Sequence, residues 1–240
     1  MKAESPLSSP AASSGRGPQS RKEWLLILLL FAIMLVKGAL WSLALPLWQG
    51  PDEDDHFAVI QFIGENGRLP DAADIILPDE LTLSRELADV GRLDYQPEQR
   101  QGWSDSAMGL REAEFGQLPA STRTSTELGT TAKLVHATPL YYLLAAAPYR
   151  LIGYGQDLLG RMQVQRLFAV LVSSPIVIVA YLITRLLFPT DPVMRLTIPT
   201  LVAFQPQADA DDGRCLRRWF LFCVVLPAHL PLFARPTRAF

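Results

Sequence analysis

Trp24 to Leu45 reads WLLILLLFAIMLVKGALWSLAL, and how these 22 residues are taken decides the fold. At ~1.5 Å per residue, a helix of that length runs roughly 33 Å, against ~30 Å for the hydrocarbon core of a bilayer. The apolar core of a secretory signal is shorter, about 7 to 15 residues, so an uncleaved membrane span is expected. Lys37 lies inside the run. A charge there marks either a functional position or a side chain that snorkels, and snorkelling toward the outer interface is the simpler expectation.

Two further apolar runs follow, FAVLVSSPIVIVAYLITRLLF from Phe168 to Phe188 and a shorter one from Leu196 to Phe204. The spacing predicts spans at about 24–45 and 167–188, with a third candidate at 194–206. Pro139 to Ile152, PLYYLLAAAPYRLI, is too short for an ordinary span, so 138–153 reads as an interfacial or short spanning helix. If it does not cross, the run from Phe168 starts outside and leaves Arg185 and Arg195 in the cytoplasm, as the positive-inside bias prefers. If it does cross, Arg150, Arg161 and Arg166 lie inside instead.

The polar remainder fits this frame. Residues 1–22 are rich in Ser, Pro, Ala and Gly and end in Arg21 and Lys22, the pattern of a disordered cytoplasmic tail. Residues 46–137 form a long loop, and between 51 and 136 it holds 17 Asp or Glu against 7 Lys or Arg, a local charge of −10. Such a segment belongs on the extracytoplasmic side. Within it Pro78 to Val90 has a helical pattern, and the Gly, Ser and Thr content from Gly116 to Thr131 suggests a mobile strap. The expected fold is an all-α membrane protein with two to three transmembrane helices, a large extracytoplasmic loop and short juxtamembrane helices.

The chemistry concentrates where the first run ends. WQGPDEDDHF sets Asp52, Glu53, Asp54, Asp55 and His56 at the membrane surface. Pro51 suits the first position of a helix, whose dipole favours acids in the first turn. Adjacent carboxylates repel, which raises the proton affinity of one while others stay charged, and His56 falls on the same helical face as Asp52. A carboxylate can then accept a hydroxyl proton while a second acid or His orients it. The plain alternative is a solvated helix start. Oxygen-rich clusters also suit a divalent cation, although contiguous acids define no particular geometry.

A second constellation, His136-Ala-Thr-Pro-Leu-Tyr-Tyr142, lies where the loop returns to the membrane. His136 could bind a phosphate or sugar hydroxyl across from the acids, and Tyr141 and Tyr142 suit the interfacial belt. Arg161 and Arg166 precede the next run, where the planar guanidinium suits pairing with the acids or with a lipid phosphate. Plain topological anchoring is the simpler role for each.

Taken in order, these pieces resemble the N-terminal part of polytopic GT-C-type glycosyltransferases, in particular the bacterial DUF2142 membrane family and the related dolichyl-phosphate-mannose-type mannosyltransferases. The likeness rests on Pro51-Asp52-Glu53 with His56-Phe57, then His136 with Pro139-Leu140-Tyr141-Tyr142, then Arg166-Leu167-Phe168 and Tyr181-Leu182 with Arg185-Leu186-Leu187-Phe188. It covers about residues 23–207. It implies a multi-pass protein of the bacterial plasma membrane with a cytoplasmic N-terminus. It also implies sugar transfer from a polyprenyl-phosphate-linked donor to a cell-envelope acceptor, with Asp52 as base, Glu53 second, and His56, His136, Arg161 and Arg166 around the substrate.

The chain departs from that pattern in having few spans, and residues 208–240, with many Arg and Pro, match nothing in the family. This suggests truncation or a frameshift after about residue 207. Two other readings stand beside the enzyme, a non-catalytic membrane protein whose acidic loop binds a ligand or partner, and an inactive fragment. Cys215 and Cys223 lack His or acidic neighbours at metal spacing and read as inert thiols. No extended basic face suggests a nucleic-acid partner.

Overall fold

The computed structural model describes residues 19–50, 52–71, 74, 77–88, 113–129 and 139–204. The described residues are helical and contain no β-strand. His136, Pro51, both cysteines and the tails at 1–18 and 205–240 lie outside them.

Helix α1 (Gln19–Ala44) carries the first apolar run. Helices α2 (Glu53–Asn66) and α3 (Asp79–Leu87) follow, then a 3₁₀ turn (Ala120–Arg123) and α4 (Pro139–Pro148), which continues as a π-helical turn (Tyr149–Gly153). Three helices complete the described chain, α5 (Leu158–Ser173), α6 (Ile176–Leu187) and α7 (Pro192–Ala203).

Local chemistry sets these boundaries. Gly67, at φ 71°, ends α2 by donating its N–H to the Ile63 carbonyl, an αL cap that an L side chain adopts only with strain. Asp157 caps α5 by accepting the Gly160 N–H, and Asp191 caps α7 by accepting those of Val193 and Met194 ahead of Pro192. Between α5 and α6, Pro175 has no N–H to continue the ladder, and the Ser174 hydroxyl donates to the Val170 carbonyl at 2.6 Å. Together they bend one long apolar element rather than end it.

Among the described residues two elements are long and apolar enough to cross a membrane, Arg21–Ala44 with 24 residues and Leu158–Leu187 with 30. Only 22% of the first apolar stretch and 33% of the second are buried within the protein, so neither is packed like the central helix of a water-soluble core. The second begins nine residues before the expected 167, because Arg161 and Arg166 are drawn into the fold rather than left at its edge. The shorter α7 lies within the third candidate run.

Contacts fix the order of the bundle. Glu23, near the start of α1, accepts hydrogen bonds from Tyr181 on α6 (2.8 Å) and Arg195 on α7 (2.9 Å). Ser42, near the end of α1, meets Gln163 of α5 at 2.9 Å, and a β-carbon on Gly38 would lie 2.8 Å from Val170 Cγ1. Hence α5 and α6 run antiparallel to α1, and α7 runs parallel to it. The chain leaves α1 and starts α5 at the same end, so α4 and the π turn make no net crossing between them. Lys37 does not snorkel outward, because its Nζ donates to the Ala203 carbonyl at 2.8 Å and places a cation at the negative C-terminal end of α7.

The loop elements make their own core. Trp48, Phe57, Ile60, Leu81, Phe115, Tyr142 and Tyr149 are buried together with Leu158 and Met162 of α5. Where the sequence suggests a mobile strap, the described part is pinned: Asp79 donates its N–H to the Ser125 carbonyl at 2.9 Å and accepts the Leu128 N–H at 2.7 Å. The tightest approach is between α2 and the π turn, where a β-carbon on Gly64 would lie 2.7 Å from Tyr149 Cε1 and closer still to Cδ1. The ring cannot swing aside because its hydroxyl is bonded to Glu65 and Arg161. Gly64→Ala is therefore expected to cost about 1–3 kcal/mol by overpacking. Denaturant titration in detergent checks this, and a cost under about 0.5 kcal/mol would mean that the two elements separate freely.

Candidate functional site at the end of the first long helix

After α1 the chain reverses through two non-glycine residues in left-handed conformations, Trp48 at φ 60° and Asp52 at φ 53°. Such conformations are sparsely populated and concentrate at functional turns. Trp48 is held there by burial, by its Nε1–H bond to Ser84 Oγ at 3.0 Å, and by ring contact with Phe57.

Asp52 stands at the N-cap of α2 rather than inside the helix, so helical register does not set its direction relative to His56. The two are joined through the backbone, His56 N–H to the Asp52 carbonyl at 3.0 Å.

The acids then separate by partner. Glu53 is buried and paired with Arg166 through two parallel bonds, Nε to Oε1 at 2.6 Å and Nη2 to Oε2 at 2.9 Å. The rest of the Arg166 guanidinium donates to the carbonyls of Ser42 (3.1 Å), Leu45 and Pro46 (2.9 Å), where α1 has no further amides to satisfy them. Arg166 thereby ties the end of α1 to the start of α2. Asp54 pairs with Arg85 of α3, and Asp55 is buried beside it. Two arginines and the positive helix terminus offset the mutual repulsion of the cluster.

His56 connects the two sequence motifs. Its Nδ1 lies 2.7 Å from the Tyr142 hydroxyl, 86 residues along the chain, and the rings stack with centroids 5.9 Å apart. Tyr142 packs edge-on against Tyr141, which in turn meets Phe168 of α5. His136 lies outside the described residues.

Arg161, fully buried, belongs to a second network one helical turn or more from Arg166. It pairs with Glu80 of α3 and donates to Tyr149 Oη at 3.2 Å and to Gln61 Oε1 at 3.4 Å. Gln61 donates in turn to Glu80 (3.1 Å) and to the Arg123 carbonyl (3.2 Å), while Tyr149 donates to Glu65 at 2.7 Å. Sequence reading singled out Arg161 but missed Glu80, Gln61, Tyr149 and Arg85, since nothing in the spacing links residues so far apart.

At the far end of α2 a cleft of about 370 Å³ is bordered by Phe62, Glu65, Arg68, Asp74 and Arg123. Arg68 grips Asp74 through two bonds of 2.7 Å, and this pairing, with the Asp71 N–H, draws the Asp74 carboxyl down to about 2. The hydrogen bond from Ser125, with amides of Leu128 and Glu127, likewise holds Asp79 below the ordinary carboxylate range. Among the described residues no group of three His, Cys, Asp or Glu is arranged to hold a metal ion.

Comparison with protein-family models, with curated proteins and with solved structures finds no match for this chain.

Proposed function

We propose that this is a membrane-embedded glycosyltransferase-like protein that transfers a sugar from a polyprenyl-phosphate-linked donor, with Asp52 as base. The membrane part of the reading draws on the spacing of polar clusters. Glu23 with Arg195 and Tyr181 lies at one end of α1, and Ser42 with Arg166 and Glu53 lies nineteen residues on, about 28 Å at ~1.5 Å per residue. That is the thickness of a bilayer core, and leucines on the outer faces of α1 and α5 fill the interval. Arg21, Lys22, Arg185 and Arg195 fall toward the first end and the acidic motif toward the second, which supports a cytoplasmic N-terminus.

The observation that carries the catalytic part is the His56 to Tyr142 hydrogen bond. It brings the motif that follows the first span and the motif that precedes the second into one place, at the level where a lipid-linked sugar phosphate would lie. Of the two acids expected to act, Glu53 is engaged by Arg166 through both oxygens, and we assign proton acceptance to the half-buried Asp52 at the left-handed turn. Arg166, expected to pair with the acids or with a lipid phosphate, pairs with Glu53 and joins α1 to α2.

In proteoliposomes supplied with labelled polyprenyl-phosphate hexoses, Asp52→Asn should cut transfer about 100-fold, the scale of lost general-base assistance, while membrane insertion persists. Transfer at the wild-type rate would take Asp52 out of the mechanism. A second reading, a non-catalytic protein with a ligand-binding loop, is favoured by the cleft beside Phe62, Arg68 and Arg123. Saccharide binding that weakens with salt and survives Asp52→Asn would select it.

A further inference from the structure

Gln165 is buried on the inward face of α5, 5% exposed, and among the described residues neither its amide nitrogen nor its amide oxygen has a hydrogen-bond partner. An orphaned buried amide is costly, because both ends give up water and gain nothing in return. In a chain whose other inward polar groups on α5, Arg161 and Arg166, are paired several times over, this vacancy calls for a functional account.

Neighbouring contacts locate the amide. Arg161 meets Gln61 of α2, and Arg166 meets Glu53, so α5 runs antiparallel to α2 and Gln165 stands level with the first turn of α2. Arg161 also meets Tyr149, and Phe168 meets Tyr141, which sets Gln165 level with the middle of α4. The His56 to Tyr142 hydrogen bond joins α2 and α4 in this same layer. Gln165 thus lies on the buried side of α5 in the same layer as the pair that joins the two motifs.

The electrostatics define what it would take. Both flanking arginines are neutralised, Arg161 by Glu80 and Arg166 by Glu53, so neither is left to meet a phosphate. A carboxamide donates and accepts at once, which suits a neutral group that does the same, namely adjacent hydroxyls of a sugar ring.

We infer that Gln165 is a sugar-hydroxyl recognition residue, kept without an internal partner so that the hexose of the lipid-linked donor can supply one. This rests on the glycosyl-transfer reading and names the part of the substrate that the layer between α2, α4 and α5 recognises.

The test uses the full chain in nanodiscs with three probes, polyprenyl-phosphate-glucose, polyprenyl-phosphate-mannose and bare polyprenyl phosphate. Wild type should bind at least one sugar-bearing lipid more tightly than the bare lipid. Gln165→Met should reduce that preference about tenfold or more, since a site built to bond a hydroxyl discriminates strongly by it. The same variant should also raise Tm by about 2–4 °C, because it replaces an unpaired buried amide with an apolar side chain of similar length. A variant that keeps the sugar preference overturns the role of Gln165 while the transfer reading stands. A lowered Tm with the preference intact would show that the amide is internally paired, and would equally overturn it. If wild type makes no distinction among the three lipids, the glycosyl-transfer reading falls and this inference falls with it.

Discussion

Arg166→Met is expected to destabilise the protein by about 3–5 kcal/mol, the scale seen when one partner of a buried ion pair is removed. Methionine keeps the length and helix propensity of the side chain, so the loss measures the guanidinium. Its removal leaves the Glu53 carboxylate buried without a cation, and it also strips partners from the carbonyls of Ser42, Leu45 and Pro46 at the end of α1. Water reaches none of these cheaply. Glu53→Gln in the same chain should recover part of the loss by removing the uncompensated charge while the carbonyls remain unsatisfied, so the double variant should lie between wild type and Arg166→Met. Thermal and denaturant unfolding of the four proteins in one detergent measures the cycle. A single-variant loss below about 1 kcal/mol would mean that the end of α1 is solvated and that Arg166 does not hold α2 in place.

Much of the helical layout is legible in the sequence because it depends on local pattern. The run from Trp24 to Leu45 is apolar on every side, and α3 shows itself in DELTLSREL, with acids in its first turn and Arg85 in its last. The start of α5 is not legible in this way. Hydropathy treats Arg161 and Arg166 as the edge of a span, yet their charges are cancelled by Glu80 and Glu53, 81 and 113 residues away along the chain. Lys37 misleads for the same reason, since its partner is a backbone carbonyl 166 residues distant. The left-handed turn at Asp52 is hidden differently: Pro51 and the acids read as a regular helix start, whereas the helix begins at Glu53 and Asp52 stays outside it.

The candidate site divides along the same line. The sequence singles out the acids, His56 and the tyrosines, because charge and aromatic residues gather beside apolar runs. It cannot apportion roles among them. Glu53 and Asp52 are neighbours of similar chemistry, and only the position of Arg166 makes Glu53 a structural anchor. The constraint on Gln165 is still less visible, because a glutamine between two arginines looks polar and surface-bound until the packing buries it.

Arg161→Met should likewise cost about 3–5 kcal/mol, but the damage should fall in a different place. Arg161 joins α5 to Glu80 of α3, Gln61 of α2 and Tyr149 of the π turn, and through Gln61 it reaches the backbone of the 3₁₀ turn at Arg123. In the variant, Glu80 keeps only the Gln61 amide among these partners, and Tyr149 keeps Glu65. Helices α2 and α3 and the π turn should therefore loosen from α5 while α1, α6 and α7 stay packed through Glu23, Tyr181 and Arg195. Hydrogen exchange separates the two regions: protection should fall across α2, α3 and the π turn and hold across α1 and α6. Uniform loss across all helices would show one cooperative unit instead. Glu80→Gln combined with Arg161→Met should restore protection in part, because a neutral amide in place of the carboxylate removes the buried charge and leaves only its unmade hydrogen bonds.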